Sequence, residues 1–503
     1  MPNLTLSMIV KNEEANLREC LESVKDVVDE IVIIDTGSTD NTLKIAKEFG
    51  AKIFHFDWIN DFSAARNFAL KQSTGNWILY LDADERLDGR SKQELKGLAK
   101  RDDMLGVNCL INNVDEITGT PKFMKYVRLF RNSENIKFTG KAHEQIEASL
   151  KSNNYSISNS KIEIIHLGYN IDKAGLKKKA ERNLLPLLEE YKTNPSSYYA
   201  FQLANTYKVL DDRANEIKYH QIAIQDENLK SEYKAVGYLT LADYSMRDGK
   251  INIAQDYVTV GLSLDKNHPL LNLIASQVYN AQREYSKAIE FCKTALTENR
   301  KNSNTENLTT SISVILPEEK ILKHGLYLSL SGSNQYMFNY FLHELNRLDS
   351  SDKLEVELIE KLYNYAELYE EELSYLGEIV DIDSLELFLI LISRIESKQS
   401  QLNALFFLND KFEMNSKYLT RLGLSLYENE YRSEAAQIFE RSLKLEVKDP
   451  SQVFYLISIY VDESKYEKIP ELLEFAMNEF SHIPGIQEKL NNVIKKLEPI
   501  LIN

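Results

Sequence analysis

A chain of 503 residues is too long for a single hydrophobic core, and two or three domains are expected. With 43% hydrophobic and 27% charged residues it has the make-up of a globular protein, which excludes wholesale disorder. A formal net charge of -16 is a poor match for nonspecific nucleic-acid binding or for an anionic membrane surface as the main partner, while leaving room for a local basic site. The cysteines Cys20, Cys109 and Cys292 lie far apart in no metal-ligand spacing, which reads as reduced, buried thiols in a cytoplasmic protein. Met1-Pro2-Asn3-Leu4-Thr5 does not open a basic-then-apolar leader, and no uncharged stretch is long enough to cross a bilayer. Neither a signal peptide nor integral membrane contact is therefore expected.

Leu4 to Val10 reads as a buried strand that stops at Lys11-Asn12-Glu13-Glu14. A helix follows to about Lys25, with Leu17, Leu21 and Val24 at helical spacing. Glu30-Ile31-Val32-Ile33-Ile34-Asp35 is a second buried strand, and Thr36-Gly37-Ser38-Thr39-Asp40 is a turn rich in helix-capping residues. A helix over about Asn41 to Phe49, a strand near Lys52 to Phe56 and a helix over about Phe62 to Lys71, carrying Arg66, lead to the apolar run Trp77-Ile78-Leu79-Tyr80-Leu81. This alternation predicts a mostly parallel sheet with helices on both faces.

The apolar run ends in Asp82-Ala83-Asp84-Glu85. In an open α/β sheet the carboxyl ends of the strands face the ligand crevice, so strands ending at Val10, Asp35 and Asp82 place polar groups along one edge. Two carboxylates one residue apart suit a hard divalent cation that bridges to substrate phosphates, although Asp also favours an ordinary strand exit. No G-x-G-x-x-G follows the first strand and no G-x-x-x-x-G-K-[ST] occurs, which argues against a dinucleotide site or a P-loop. From about Leu105 the pattern changes: Gly106 to Ile111, Lys122 to Phe130 and Ile162 to His166 read as strands of an acceptor-side subdomain, mixed or antiparallel.

Taken together, Ser7-Met8-Ile9-Val10-Lys11-Asn12-Glu13-Glu14, Asp35-Thr36-Gly37-Ser38-Thr39-Asp40, Asp61-Phe62-Ser63-Ala64-Ala65-Arg66-Asn67 and Asp82-Ala83-Asp84-Glu85 resemble family 2 glycosyltransferases of the GT-A fold. The groups Arg128/Phe130/Arg131, Gly140/His143/Glu144 and His166/Gly168/Tyr169 are similar to a branch that couples this domain to tetratricopeptide-like helices and includes bacterial peptide S-glycosyltransferases. The resemblance covers roughly the first 170–190 residues. It implies an inverting transferase with a nucleotide-sugar donor, taken as UDP-linked, and Mn²⁺ or Mg²⁺. Carried over by motif, Val10 and Asp35 line the nucleotide site, with Asp35 at the base. Glu13 falls near the ribose and Arg66 near the nucleotide or its diphosphate. Asp82 falls at the ribose or metal, Asp84 on the metal, and His166 matches a late histidine that completes the metal site.

The same residues can be read chemically. A leaving sugar diphosphate develops negative charge that a metal neutralises as Lewis acid and template. Carboxylates at Asp82 and Asp84 suit either ion, with imidazole better tolerated by Mn²⁺. An acceptor hydroxyl or thiol must lose a proton, and a positioned base contributes roughly 10²–10⁴-fold. Glu144 is the first candidate base, with His143 and Asp103 as rivals. Lys177-Lys178-Lys179 and Arg182 suit a phosphate clamp, but such runs are usually solvated helix faces.

After about Asn170 strand patterns give way to helices. Lys173 to Lys192 reads as a bridging helix interrupted only by Pro186. Ala254 and Ala288 stand 34 positions apart, with Val258/Gly261 and Cys292/Ala295 at matching offsets; Ala435 and Ile469 repeat the spacing. A 34-residue period with small residues at helix crossings is the tetratricopeptide signature. The expected organisation is a GT-A catalytic domain over 1–170, a bridge over 171–195, repeats over 196–299, an irregular linker over 300–325 and a repeat-containing helical domain over 326–503. Solenoids present concave faces, here for a peptide or protein acceptor or for a second copy of the chain. A lipid-linked or cell-wall saccharide acceptor, and a non-catalytic scaffold, are the alternatives. The sugar, acceptor and linkage are not encoded in any motif.

Overall fold

The computed structural model describes residues 3–113, 122–167, 173–303, 312–348, 352–445, 449–480, 483 and 485–501. Gly168 and Tyr169 of the late motif, and Met1 and Pro2, lie outside them. The chain forms two compact units, Met1–Ile321 and Leu322–Asn503.

The first unit is built on one mixed sheet. Strands β1 (Leu4–Val10), β2 (Glu30–Asp35), β3 (Lys52–His55) and β4 (Trp77–Tyr80) alternate with helices α1 (Leu17–Val24), α2 (Thr42–Glu48) and α3 (Phe62–Gln72). A short β5 (Glu85–Leu87), α4 (Lys92–Leu98), β6 (Leu105–Asn113), β7 (Lys122–Arg131), α5 (Glu147–Ser152) and β8 (Ser156–His166) complete it. The order is β3-β2-β1-β4-β7-β6-β8-β5. The first four strands are parallel, and β7 turns the sheet antiparallel against β4. The strands expected as a mixed or antiparallel acceptor-side subdomain continue the same sheet. Leu6, Leu17, Leu21, Trp77, Leu79 and Leu129 are fully buried in one core cluster, as near-continuous apolar strands require when both faces are covered. The short β5 and helices α4 and α5 went unread, because three to seven residues carry too little periodicity.

α6 (Lys173–Thr193) runs unbroken through Pro186. It is followed by the helices α7 (Ser197–Val209), α8 (Arg213–Gln225), α9 (Ser231–Arg247), α10 (Ile251–Leu264), α11 (Pro269–Ala281) and α12 (Tyr285–Ser303). Ala254, Ala288, Cys292 and Ala295 are fully buried at the crossings of these helices, which is why the repeat demands small side chains there. The segment expected as an irregular linker contains a strand, β9 (Ile312–Val314), which pairs with β7. In the second unit, helices Ser416–Glu428, Arg432–Ser442, Ser451–Asp462 and Ile469–Phe480 carry the other repeat, with Ala435, Ile469 and Ala476 buried. All three cysteines are free and buried. Burial pushes the Cys109 and Cys292 thiols up to about 12. No helix among the described residues is long and apolar enough to cross a membrane.

Opposite the cleft end, Glu30 ties four segments together. It accepts from Thr5 Oγ1 at 2.5 Å, Thr74 N and Oγ1 at 2.8 Å each, and Lys52 Nζ at 2.6 Å. Burial pushes its carboxyl up, but these donors outweigh burial and bring it from 4.5 down to about 2. A carboxyl depressed on folding stabilises fully above its unfolded value and loses that contribution as pH falls through its folded value. Glu30→Gln should therefore cost about 3 kcal/mol at pH 7. The gap from wild type in urea-unfolding free energy should close as pH falls from 4.5 towards 2. A gap independent of pH would contradict this.

Candidate active site

A cleft of about 380 Å³ opens where β1 and β4 end. Val10, Glu13, Arg66, Asp82, Asp84, His143, Glu144 and His166 all line it, so eight of the site residues expected from the sequence converge. Its rim is fixed by turns that brace one another. Asn12, with φ of 56°, accepts from Thr39 N at 2.7 Å, and Glu13 N donates to Thr42 Oγ1 at 2.7 Å. Asp61 caps α3 by accepting from Ala64 N at 2.9 Å, which aims Arg66 inward from the next turn.

Arg66 is not an exposed helical arginine. It is only 5% exposed, and its Nε donates to Glu144 Oε1 at 2.5 Å while Nη2 donates to Asp82 Oδ1 at 2.7 Å. Arg128 Nη2 donates to Glu85 Oε1 at 2.6 Å and stands 3.9 Å from Asp82 Oδ2. Both guanidinium groups lie over the Tyr80 ring, at 5.0 and 4.6 Å from its centroid, where the quadrupole favours cations. Burial pushes the Asp82 carboxyl up, but the Arg66 and Arg128 charges outweigh burial and hold it well below the usual carboxylate range. Glu85, which the sequence left without a role, is 1% exposed and also accepts from Asp82 N at 2.9 Å. It is the interior anchor of Arg128.

Asp84 faces the other way. Strand β5 pairs with β8 so that Glu85 lies opposite His166, and β6 pairs with β8 so that Asn113 lies opposite it on the other side. This register brings His166 Nε2 to 3.5 Å from Asp84 Oδ2 and His166 Nδ1 to 2.8 Å from Asn113 Oδ1. His166 thus presents Nδ1 to the Asn113 amide oxygen and Nε2 to Asp84. Burial lowers the His166 value, but the hydrogen bond and charge of Asp84 outweigh it and raise the group above an ordinary histidine. Lys179 Nζ of α6 stands 3.6 Å from the same Asp84 oxygen. Among the described residues no three His, Cys, Asp or Glu side chains form a closed metal cage. Asp84, in the turn before β5, and His166, at the end of β8, offer a carboxylate and an imidazole, a donor pair that fits Mn²⁺ or Mg²⁺ sharing its remaining positions with water and phosphate. Asp82 is the poorer donor, since both its oxygens face guanidinium groups.

The loop carrying His143 and Glu144 is closed by paired bonds between Thr139 and Gln145, at 2.9 and 2.8 Å. It requires a glycine at Gly140, with φ of 100°, and holds His143 at φ of 55°. Phe138 N donates to Asn67 Oδ1 at 2.7 Å and Phe62 N donates to Lys141 O at 2.9 Å, which fasten the loop to α3. From the helical side, Tyr198 hydroxyl bonds to Gln145 and donates to His143 O at 3.5 Å. Burial lowers the His143 imidazole below its ordinary value.

Two expected residues stand apart. Asp35 does not line the cleft; its Oδ1 accepts from Ser38 N at 3.0 Å and shapes the turn that does. Asp103 is exposed and paired with Arg101, outside the cleft. Trp58 and Phe62, whose rings meet edge-on at 4.8 Å on the cleft wall, and Asn113 and Tyr80 have no role assigned from sequence, since no local motif distinguishes them from core residues.

Residues 5–165 match the sequence model for glycosyl transferase family 2, so the N-terminal part of the chain is a family 2 glycosyltransferase domain. A TPR repeat-containing protein of Synechococcus elongatus is 40% identical over 188 residues, covering 36% of this chain and 46% of that one. The SPbeta prophage-derived glycosyltransferase SunS of Bacillus subtilis is 30% identical over 232 residues, covering 45% and 54%. The chain thus spans about half the length of these curated relatives. A solved tetratricopeptide repeat protein of Parabacteroides merdae is 12% identical, with 59% of this chain and 97% of that one covered and a TM-score of 0.39.

Removing one partner from a buried charge network leaves the others uncompensated. Arg66→Met should therefore lower urea-unfolding stability by about 3 kcal/mol. Arg90→Met, which breaks exposed and solvent-screened pairs with Asp88 and Glu163, should leave it unchanged. Equal effects of the two would refute the network's role.

Proposed function

We propose that the protein is an inverting, metal-dependent glycosyltransferase that moves a sugar from a nucleotide-diphosphate donor, UDP-linked in the simplest case, to a peptide or protein acceptor. One observation carries this reading: Asp84 and His166, from segments far apart in sequence, meet in a single cleft with Glu13 and Glu144, within the residues that match family 2. Asp84 and His166 would hold the ion, which when bound supplies neutralisation of the leaving diphosphate. Val10, Thr36 and Glu13 line the nucleoside end of the cleft, with Asp35 holding the turn behind them.

The reaction is a single displacement. The acceptor hydroxyl or thiol gives its proton to Glu144, its heteroatom bonds to the anomeric carbon, and the bond to the phosphate oxygen breaks with its electron pair leaving on the nucleoside diphosphate. Arg66 holds the Glu144 carboxylate in place. A peptide or protein acceptor is favoured by the helical repeats beside the cleft, because such repeats bind extended ligands on their concave face.

The test is incubation with Mn²⁺ or Mg²⁺, a panel of nucleotide sugars and a peptide mixture, read by mass spectrometry and by donor hydrolysis. Asp84→Asn should lose at least about 10²-fold in turnover, and Glu144→Gln about 10²–10⁴-fold with donor affinity retained. His143→Gln should stay within several-fold of wild type. Donor turnover by Asp84→Asn at the wild-type rate would sink the reading, and transfer only to saccharide acceptors would replace its acceptor.

A further inference from the structure

The cleft has an electrostatic problem. Glu13, Asp82, Asp84 and Glu144 line it, and a diphosphate brings further negative charge. Arg66, which the motif resemblance places near the nucleotide or its diphosphate, has its fork committed to Asp82 and Glu144, and Arg128 is committed to Glu85. A buried arginine with two carboxylate partners has little left to offer a third anion.

Helix α6 supplies what is missing. Lys179, Arg182 and Asn183 all line the cleft, and the spacing i, i+3, i+4 puts them on one face of the helix. Lys179 reaches 3.6 Å from Asp84 with 44% of its side chain exposed. Arg182 lies 5.8 Å over the Phe62 ring, beside Trp58, on the same wall. Lys177 on the same helix turns elsewhere and pairs with Asp211 of the following helical hairpin at 2.7 Å.

We propose that the Lys179/Arg182 face of α6 is the diphosphate-binding wall of the donor site, so that the helical bridge, not only the sheet domain, binds the nucleotide. This rests on the donor reading above. Lys179 gives a compact, mobile ammonium that can exchange Asp84 for a phosphate oxygen. Arg182, braced on Phe62, gives a planar fork to the second phosphate.

Calorimetric titration of the full chain tests it with UDP, GDP, dTDP, uridine and inorganic pyrophosphate, all in Mg²⁺. Lys179→Met and Arg182→Met should each weaken nucleoside-diphosphate and pyrophosphate binding about tenfold and leave uridine unchanged. Lys177→Met removes the same charge from the same helix and should behave as wild type. If the diphosphates bind all variants alike, the wall is refuted and the donor reading stands. If uridine weakens in parallel, or Lys177→Met loses as much, the contact is not with the diphosphate and the proposal fails. If wild type binds none of the diphosphates or pyrophosphate, both readings fall.

Discussion

The site depends on two arginines held over one tyrosine, Arg66 buried and Arg128 largely so. Strand β4 is apolar up to Tyr80, and the turn after it sets Asp82 at the cleft and Glu85 inside the fold. A carboxylate there is tolerable only if its charge is met at once. Arg66 from α3 and Arg128 from β7 meet it, and the face of Tyr80 meets the arginines in turn. The same two cations fix Glu144 and Glu85. Two guanidinium groups over one aromatic ring thereby tie in three carboxylates, and the loop carrying Glu144 has its position set by charge as well as by backbone.

That arrangement divides the labour within Asp82-Ala83-Asp84-Glu85. Asp82 and Glu85 turn to the arginines, Ala83 is 4% exposed in the core, and Asp84 is left to face His166. Leu167 N donates to Asp84 O at 2.9 Å, so β5 and β8 begin their pairing at the residue that matters. The outward carboxylate is thus a product of register: shift β8 by one position and His166 would point to the other face of the sheet.

Much of this was readable from residue pattern. The parallel half was, because long buried strands with turn residues between them carry strong signals; β1 and β2 start and stop where their apolar runs do. The convergence of Asp84 and His166 was expected only through motif resemblance, since their meeting depends on β5, three residues long. Arg66 illustrates the limit. Its helical setting is visible locally, but its burial is created by Asp82, Glu144 and Tyr80, which are distant in sequence or on another element. Lys177 and Lys179 make the same point: two lysines in one run differ in destination because a helix turns about 100° per residue.

The compact unit that contains the sheet also contains the bridge helix and the first repeats, ending at Ile321. The contacts explain why. Glu190 of α6 accepts from Lys141 N at 3.4 Å, Lys230 pairs with Glu147 at 3.0 Å, Tyr198 bonds on both sides of Glu144, and β9 returns from beyond α12 to pair with β7. A loop that holds a histidine at positive φ is strained on its own, and such strain persists only where surroundings over-determine it. Here α3 holds one side and α6 and α7 the other. The bridge helix and the first helical repeat are therefore packed against the loop that carries Glu144, and α6 brings Lys179 beside Asp84.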